Sequence, residues 1–250
     1  MYNKLRKNIF SMKTLQYSMT LAAALLAAAM FISCKGGKTA EETADAAADT
    51  LGISKAEYLS SDLAFFGLKG QVKTLTESQK LLGEYGEGVD PEITVYQFDE
   101  NGTLLTVNDA DPFTKAIDED SGTASWWERD SNGYISATDI FTMSLDQEPI
   151  SGNRYTWANG IVMGETQTSF FEGQIVTKLT YSYDSQGNLL SKNGTMSCTG
   201  MDDQQIYHRY EYKGSDKNGN WLTCLETSND TGETGEATFQ YSTTREIIYY

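Results

Sequence analysis

The chain has 250 residues, with 19 Lys and Arg against 35 Asp and Glu and a formal net charge of −16. That acidity argues against nucleic acid or an anionic lipid surface as partner, because neither would gain from counterion release or a polybasic contact. The acids are spread along the sequence, as on a solvated surface, and do not form a single tail.

In chain order, the first 33 residues carry Lys4, Arg6, Lys7 and Lys13, no acid, and an Ala- and Leu-rich run from Leu21 to Ile32. This is a signal-peptide pattern, shorter than the roughly 20 apolar residues needed to cross a bilayer. Met12 also fits as a start and would leave a leader of more usual length. The run closes on Phe31-Ile32-Ser33-Cys34. These residues resemble the lipobox of bacterial lipoproteins, with a small residue before the cysteine and with Phe31 where Leu is commoner. The resemblance implies cleavage before Cys34, lipid attachment on Cys34 and residence in the bacterial cell envelope as an outer-membrane lipoprotein. An ordinary cleaved leader with an incidental cysteine is the alternative.

Removing the leader's four basic residues leaves 15 Lys and Arg against 35 acids, a formal net charge of −20. Residues 34–54 are Gly, Ala, Thr and acid, and read as an acidic flexible tether with a reach of roughly 25 Å. Glu41-Glu42 resembles, at a later position than usual, the acidic surface-display signal of Bacteroidota lipoproteins; the periplasmic and surface sides both stay open.

Residues 55–250 form the domain, long enough to bury on the order of 70% of its unfolded surface. Only the segment from Ala56 to Phe66 has helical spacing, through Leu59, Leu63 and Phe66. Beyond it, Asn-Gly recurs at Asn101-Gly102, Asn132-Gly133, Asn159-Gly160, Asn193-Gly194 and Asn218-Gly219. Asn and Gly tolerate the positive φ of type I′ hairpin turns. Alternation at Val95–Phe98, at Tyr155–Trp157 and through Leu179, Tyr181 and Tyr183 supplies strands between them. The expected fold is therefore all-β: an antiparallel β-hairpin repeat sheet, curled or sandwich-like, with a short N-terminal helix.

The segment Tyr181-Ser-Tyr183-Asp184-Ser-Gln-Gly187-Asn188-Leu189 resembles the YD repeat of RHS-like proteins. Degenerate relatives run from Tyr96 through Asp99 to Gly102, from Trp127 through Asp130 to Gly133, and from Tyr210 through Tyr212 to Gly219-Asn220-Trp221. The resemblance implies a hairpin-repeat sheet. It does not carry over the toxin function of large family members, whose shell and C-terminal toxin module this chain lacks. A turn-capping Asp, a positive-φ Gly and two tyrosines on one face account for the motif without a ligand.

Four adjacent aromatic pairs, Phe65-Phe66, Trp126-Trp127, Phe170-Phe171 and Tyr249-Tyr250, would face opposite ways on strands. The expectation is a covered second face; the sharper alternative is a sugar-stacking platform at Trp126 or Trp127. The single histidine, His208, shares a face with Ile206, Tyr210 and Tyr212 and reads as a core residue, not a base. No nucleophile-elbow, cofactor or complete metal motif is present: the acid-rich stretches at Asp118–Gly122 and Asp216–Asn220 begin like calcium loops and do not complete them. Cys198 and Cys224 flank one intervening strand, a separation of roughly 10 Å, and are expected as free, buried thiols. The function that follows is a lipid-anchored, non-enzymatic binding or structural module with a glycan or envelope-protein partner; an enzyme acting on envelope glycans is the alternative.

Overall fold

The computed structural model describes residues 58–117, 122–143, 149–170, 174–229 and 238–250. The leader, Cys34, the tether, most of the Asp118–Gly122 stretch and Phe171 lie outside those residues. A short helix α1 (Ser61–Phe65) precedes the strands β1 (Val72–Leu81), β2 (Glu92–Phe98), β3 (Leu104–Val107), β4 (Ala116–Ile117), β5 (Ala124–Arg129), β6 (Ile135–Thr142) and β7 (Ser151–Ala158). They are followed by β8 (Ile161–Phe170), β9 (Gln174–Tyr183), β10 (Leu189–Cys198), β11 (Gln204–Ser215), β12 (Trp221–Ser228) and β13 (Phe239–Tyr249). All belong to one antiparallel sheet, ordered β3-β2-β1-β13-β12-β11-β10-β9-β8-β7-β6-β5-β4. The fold is thus all-β, as the sequence predicts.

The topology forces the sheet to curl. Edge strands β3 and β4 are consecutive in sequence, yet they lie at opposite ends of a 13-stranded order. Twelve interstrand spacings in a flat sheet would separate them by roughly 60 Å, whereas the connection from Val107 to Ala116 spans about 30 Å at full extension. The edges must therefore approach, and the connection itself bonds to β5 through Trp127 N–H to the Pro112 carbonyl at 2.8 Å. A single sheet acquires a covered inner face in this way, without a second layer.

Strands β2, β5, β7, β9 and β11 run in the same direction, so the turns after them gather at one end. Four of these turns share one construction, starting at Asp99, Asp130, Asp184 and Asp216. In each, the Asp carboxylate accepts backbone N–H groups two and four residues on, at 2.8 to 3.0 Å. The glycine at the fourth position has φ between 81° and 85°. This is a turn closed by a left-handed glycine, not the two-residue type I′ turn expected from Asn-Gly. Only Asn159-Gly160 has positive φ at both residues, 50° and 76°.

Asn193-Gly194 is not a turn. Both residues lie inside β10, paired with Thr180 and Leu179 of β9. A Cβ on Gly194 would stand 1.8 Å from the Lys178 carbonyl oxygen and 2.6 Å from the Leu179 Cα, so glycine is needed there for close backbone approach. The helix is also shorter than its spacing predicts: Ser60 caps it, its Oγ accepting Leu63 N–H at 3.0 Å, and Leu59 is exposed.

The segment 58–70 closes the turn-rich end. Leu63, Leu68, Val72, Leu75, Phe98, Leu104 and Ile135 form the main buried cluster there. Polar contacts lock the segment to the turns. Ser60 donates to the Gly102 carbonyl at 2.7 Å, and Asn220 pairs with both backbone groups of Lys69 at 2.7 and 2.9 Å. Asp62, 2% exposed, accepts both guanidinium nitrogens of Arg129 at 2.6 and 2.7 Å together with Leu104 N–H at 2.7 Å.

Candidate functional site

Below the plug, the inner face of the sheet surrounds a cavity of about 390 Å³. Strand periodicity places its walls. Glu77 and Gln79 come from β1, Glu92, Thr94 and Tyr96 from β2, Trp127 from β5, and Asp139 from β6. Tyr155, Glu165, Tyr181, Tyr183 and Lys192 continue the wall through β7 to β10, and Tyr210, Tyr212, Glu226 and Arg245 complete it from β11 to β13. The period of two that puts Leu179, Tyr181 and Tyr183 on one face is what turns a tyrosine-rich sequence into a tyrosine-lined interior.

Most of the tyrosine hydroxyls are committed to the wall. Tyr155 shares a hydrogen bond with Thr138 Oγ1 at 2.9 Å, Tyr181 donates to Glu165 at 3.0 Å, Tyr212 donates to the Leu189 carbonyl at 2.6 Å, and Tyr183 donates to the Val162 carbonyl. Burial raises the pKa of each of these phenols, so they stay neutral donors.

The carboxylates divide into two groups. Glu77 accepts Arg245 Nε at 2.8 Å, and Glu226 meets His208 Nδ1 at 2.7 Å. Burial alone would raise Glu226, but the His208 contact, the charge of Lys192 and the Tyr210 hydroxyl together outweigh it and hold the group below the usual carboxylate range. Glu165, fully buried, is pushed well above that range by desolvation, against the opposing charge of Lys192. Glu92 and Asp139 have no ion-pair partner among the described residues. Both are raised by desolvation, and Glu92 also by the charge of Asp139.

Asp139 sits at an irregularity. Its φ is 51°, left-handed for a non-glycine residue, within a register shift between β6 and β7. Bulges of this kind re-aim a side chain. Here the carboxylate takes Trp127 Nε1–H at 3.3 Å, Thr138 Oγ1–H at 3.0 Å and Asn153 Nδ2–H at 3.2 Å.

The two tryptophans singled out by sequence part company. Trp127 packs against Phe65 and Phe113, bonds Asp139 and lines the cavity. Trp126 does not line it; its Nε1–H reaches Glu128 at 3.2 Å and the Lys115 ammonium lies 4.5 Å from its ring. They do not form one platform. Phe65-Phe66 ends the helix, within the segment given helical spacing by sequence, and sends one ring toward Trp127 and Tyr155 and the other toward Tyr96 and Phe98. His208 is a buried, hydrogen-bonded residue. Cys224 is buried and its thiol is pushed up to about 12 by desolvation; Cys198 is free as expected but half-buried, not buried. Asp216, the second calcium-loop candidate, spends its carboxylate on Asn218, Asn220 and Tyr249.

Glu92, Asp139 and Arg245 were not singled out by sequence, and Tyr96 was named only as part of a degenerate repeat. The signal for Asp139 was the adjacent polar pair Thr138-Asp139, which breaks alternation in an otherwise regular strand. In comparisons with known proteins, no family model and no curated protein matches the chain.

Proposed function

We propose that this chain is a lipid-anchored protein of the bacterial cell envelope whose curled sheet is a non-enzymatic binding module, holding a small polar ligand in the inner cavity. The address rests on the sequence around Cys34. The binding role rests on one observation above all: Glu92 and Asp139 line the cavity as partly buried carboxylates with no cation of their own. Burying unpaired charge costs several kcal/mol, which an interior serving stability alone would avoid by apolar filling. The volume falls within the range of about 300 to 1,000 Å³ typical of small-molecule pockets.

A second reading, an enzyme acting on envelope glycans, draws on the same two groups, since carboxyls with raised pKa are suited to proton transfer. Calorimetric titration of soluble envelope saccharides and metabolites, run beside a glycosidase assay, separates the two. The binding reading predicts heat of binding without turnover, weakened by Trp127→Ala and unaffected by Trp126→Ala. Turnover abolished by Asp139→Asn with binding retained would replace it. Protease shaving of intact and lysed cells tests the address; a chain found in the cytosolic fraction without lipid would contradict it.

A further inference from the structure

Inside the sheet, two carboxylates, Glu92 and Asp139, have no ion-pair partner among the described residues, and one guanidinium, Arg245, is ion-paired but keeps an unmet donor. Arg245 is held by three contacts: Nε to Glu77 at 2.8 Å, Nη2 to the Phe66 carbonyl at 3.0 Å, and its guanidinium 3.5 Å over the Trp221 ring. Its side chain is only 6% exposed, it lines the cavity, and Nη1 is buried with no acceptor. A guanidinium fixed so completely has a donor left over, and an unmet buried donor is unfavourable. Its natural complement is an oxygen acceptor, best a carboxylate.

Glu92 and Asp139 present the opposite need. Both line the same cavity as Glu77, Arg245 and Tyr96, and the Tyr96 phenol is raised by burial first, then by the charges of Glu77 and Asp139, with Arg245 opposing and Glu92 adding. A cation between Glu92 and Asp139 would relieve both carboxylates, and the Tyr96 and Trp127 rings that line the same cavity add aromatic surface suited to a cation.

No singly charged or neutral ligand answers both ends. A simple amine leaves Arg245 unmet. A simple carboxylate enters a cavity whose acids outnumber its cations. A neutral sugar hydrogen-bonds to all of these groups and compensates none of the charge. We infer that the ligand is a zwitterion, a free α-amino acid or short peptide, with its ammonium group between Glu92 and Asp139 and its carboxylate on Arg245. This rests on the binding reading above and specifies its ligand class.

The test is calorimetric titration of the full acylated protein in detergent micelles with four sets of probes: free L-amino acids and dipeptides, the amines matching them without a carboxylate, the carboxylates matching them without an amine, and neutral sugars including N-acetylglucosamine. The inference expects binding within the first set, weakened about tenfold or more by removing either charged end. Glu92→Gln should weaken the amino acid and the bare amine alike, while Arg245→Lys should weaken the amino acid and leave the bare amine unchanged; the tryptophan indole spectrum reports that each variant is folded. Equal affinity for an amino acid and its bare amine overturns the role of Arg245. Binding of neutral sugars without amino acids overturns the zwitterion and leaves the binding module standing. No binding from any set overturns both.

Discussion

Replacing Asp62 tests whether the segment before β1 is an integral plug of the sheet. Its carboxylate is 2% exposed and holds three donors, two from Arg129 and one from the Leu104 backbone. In Asp62→Ala, the Leu104 N–H is left buried without an acceptor, at about 1 to 3 kcal/mol. Arg129 loses its counter-charge but keeps the Gly133 carbonyl at 2.8 Å and a side chain 26% exposed, so its loss is moderated by water. Together these place the cost at about 3 to 5 kcal/mol, the range for breaking one side of a buried pair. That is a large share of the roughly 5 to 15 kcal/mol that holds a domain folded. Asp62→Asn keeps an acceptor for Leu104 and should cost about 1.5 to 3 kcal/mol. Urea unfolding followed by circular dichroism measures both. A cost for Asp62→Ala below about 1 kcal/mol would refute the reasoning, because it would mean that the clamp is solvated or that the plug is dispensable.

Gly194→Ala should abolish soluble folded protein, since its Cβ would meet the Lys178 carbonyl at 1.8 Å, whereas Gly133→Ala, at φ 84° in open space, should lower stability by about 1 to 2 kcal/mol in thermal unfolding. Alkylation of the native protein should modify Cys198 well before Cys224, whose thiol is buried and pushed up to about 12; equal rates would contradict that burial. Stability should peak on the acid side of neutrality. Carboxylates held low in the fold, such as Glu226, contribute above their unfolded value of about 4 and lose that contribution as the pH falls through their folded values; those held high, Glu165, Glu92 and Asp139, become costly as the pH rises through theirs. In melting curves against pH, Glu226→Gln should flatten the acid limb and Glu92→Gln the decline toward neutrality; a variant that leaves its limb unchanged contradicts the assignment.

The all-β class was legible because strand alternation and recurring turn residues are local signals. Most Asn-Gly pairs do sit at hairpins, but Asn193-Gly194 shows the limit of the signal: glycine also serves where two backbones crowd, and sequence does not say which need it meets. The helix was read too long because Leu59 has core spacing but lies beyond the Ser60 cap. The pair Trp126-Trp127 announced one ring on each face, while the choice of inner face depended on the curl. The cavity itself was the least legible. Glu77 and Arg245 meet across 168 positions of sequence, and Glu92 and Asp139 line one cavity only because the edges of a 13-stranded sheet are drawn together. Among 35 acids, the break in alternation at Thr138-Asp139 is the one local mark, and nothing local ties Glu92 to the same cavity.

The measurement that bears most directly on the account is the set of indole N–H resonances from the four tryptophans of the isotope-labelled protein, followed as a ligand is added. Trp127 and Trp221 line the cavity, Trp127 bonded to Asp139 and Trp221 stacked on Arg245; Trp157 is tied to the Ile135 carbonyl, and Trp126 lies away from the cavity beside Lys115. Binding inside the sheet predicts that the Trp127 and Trp221 signals move together while Trp126 stays still. Movement of Trp126 alone would place the ligand on the outer face and contradict the account.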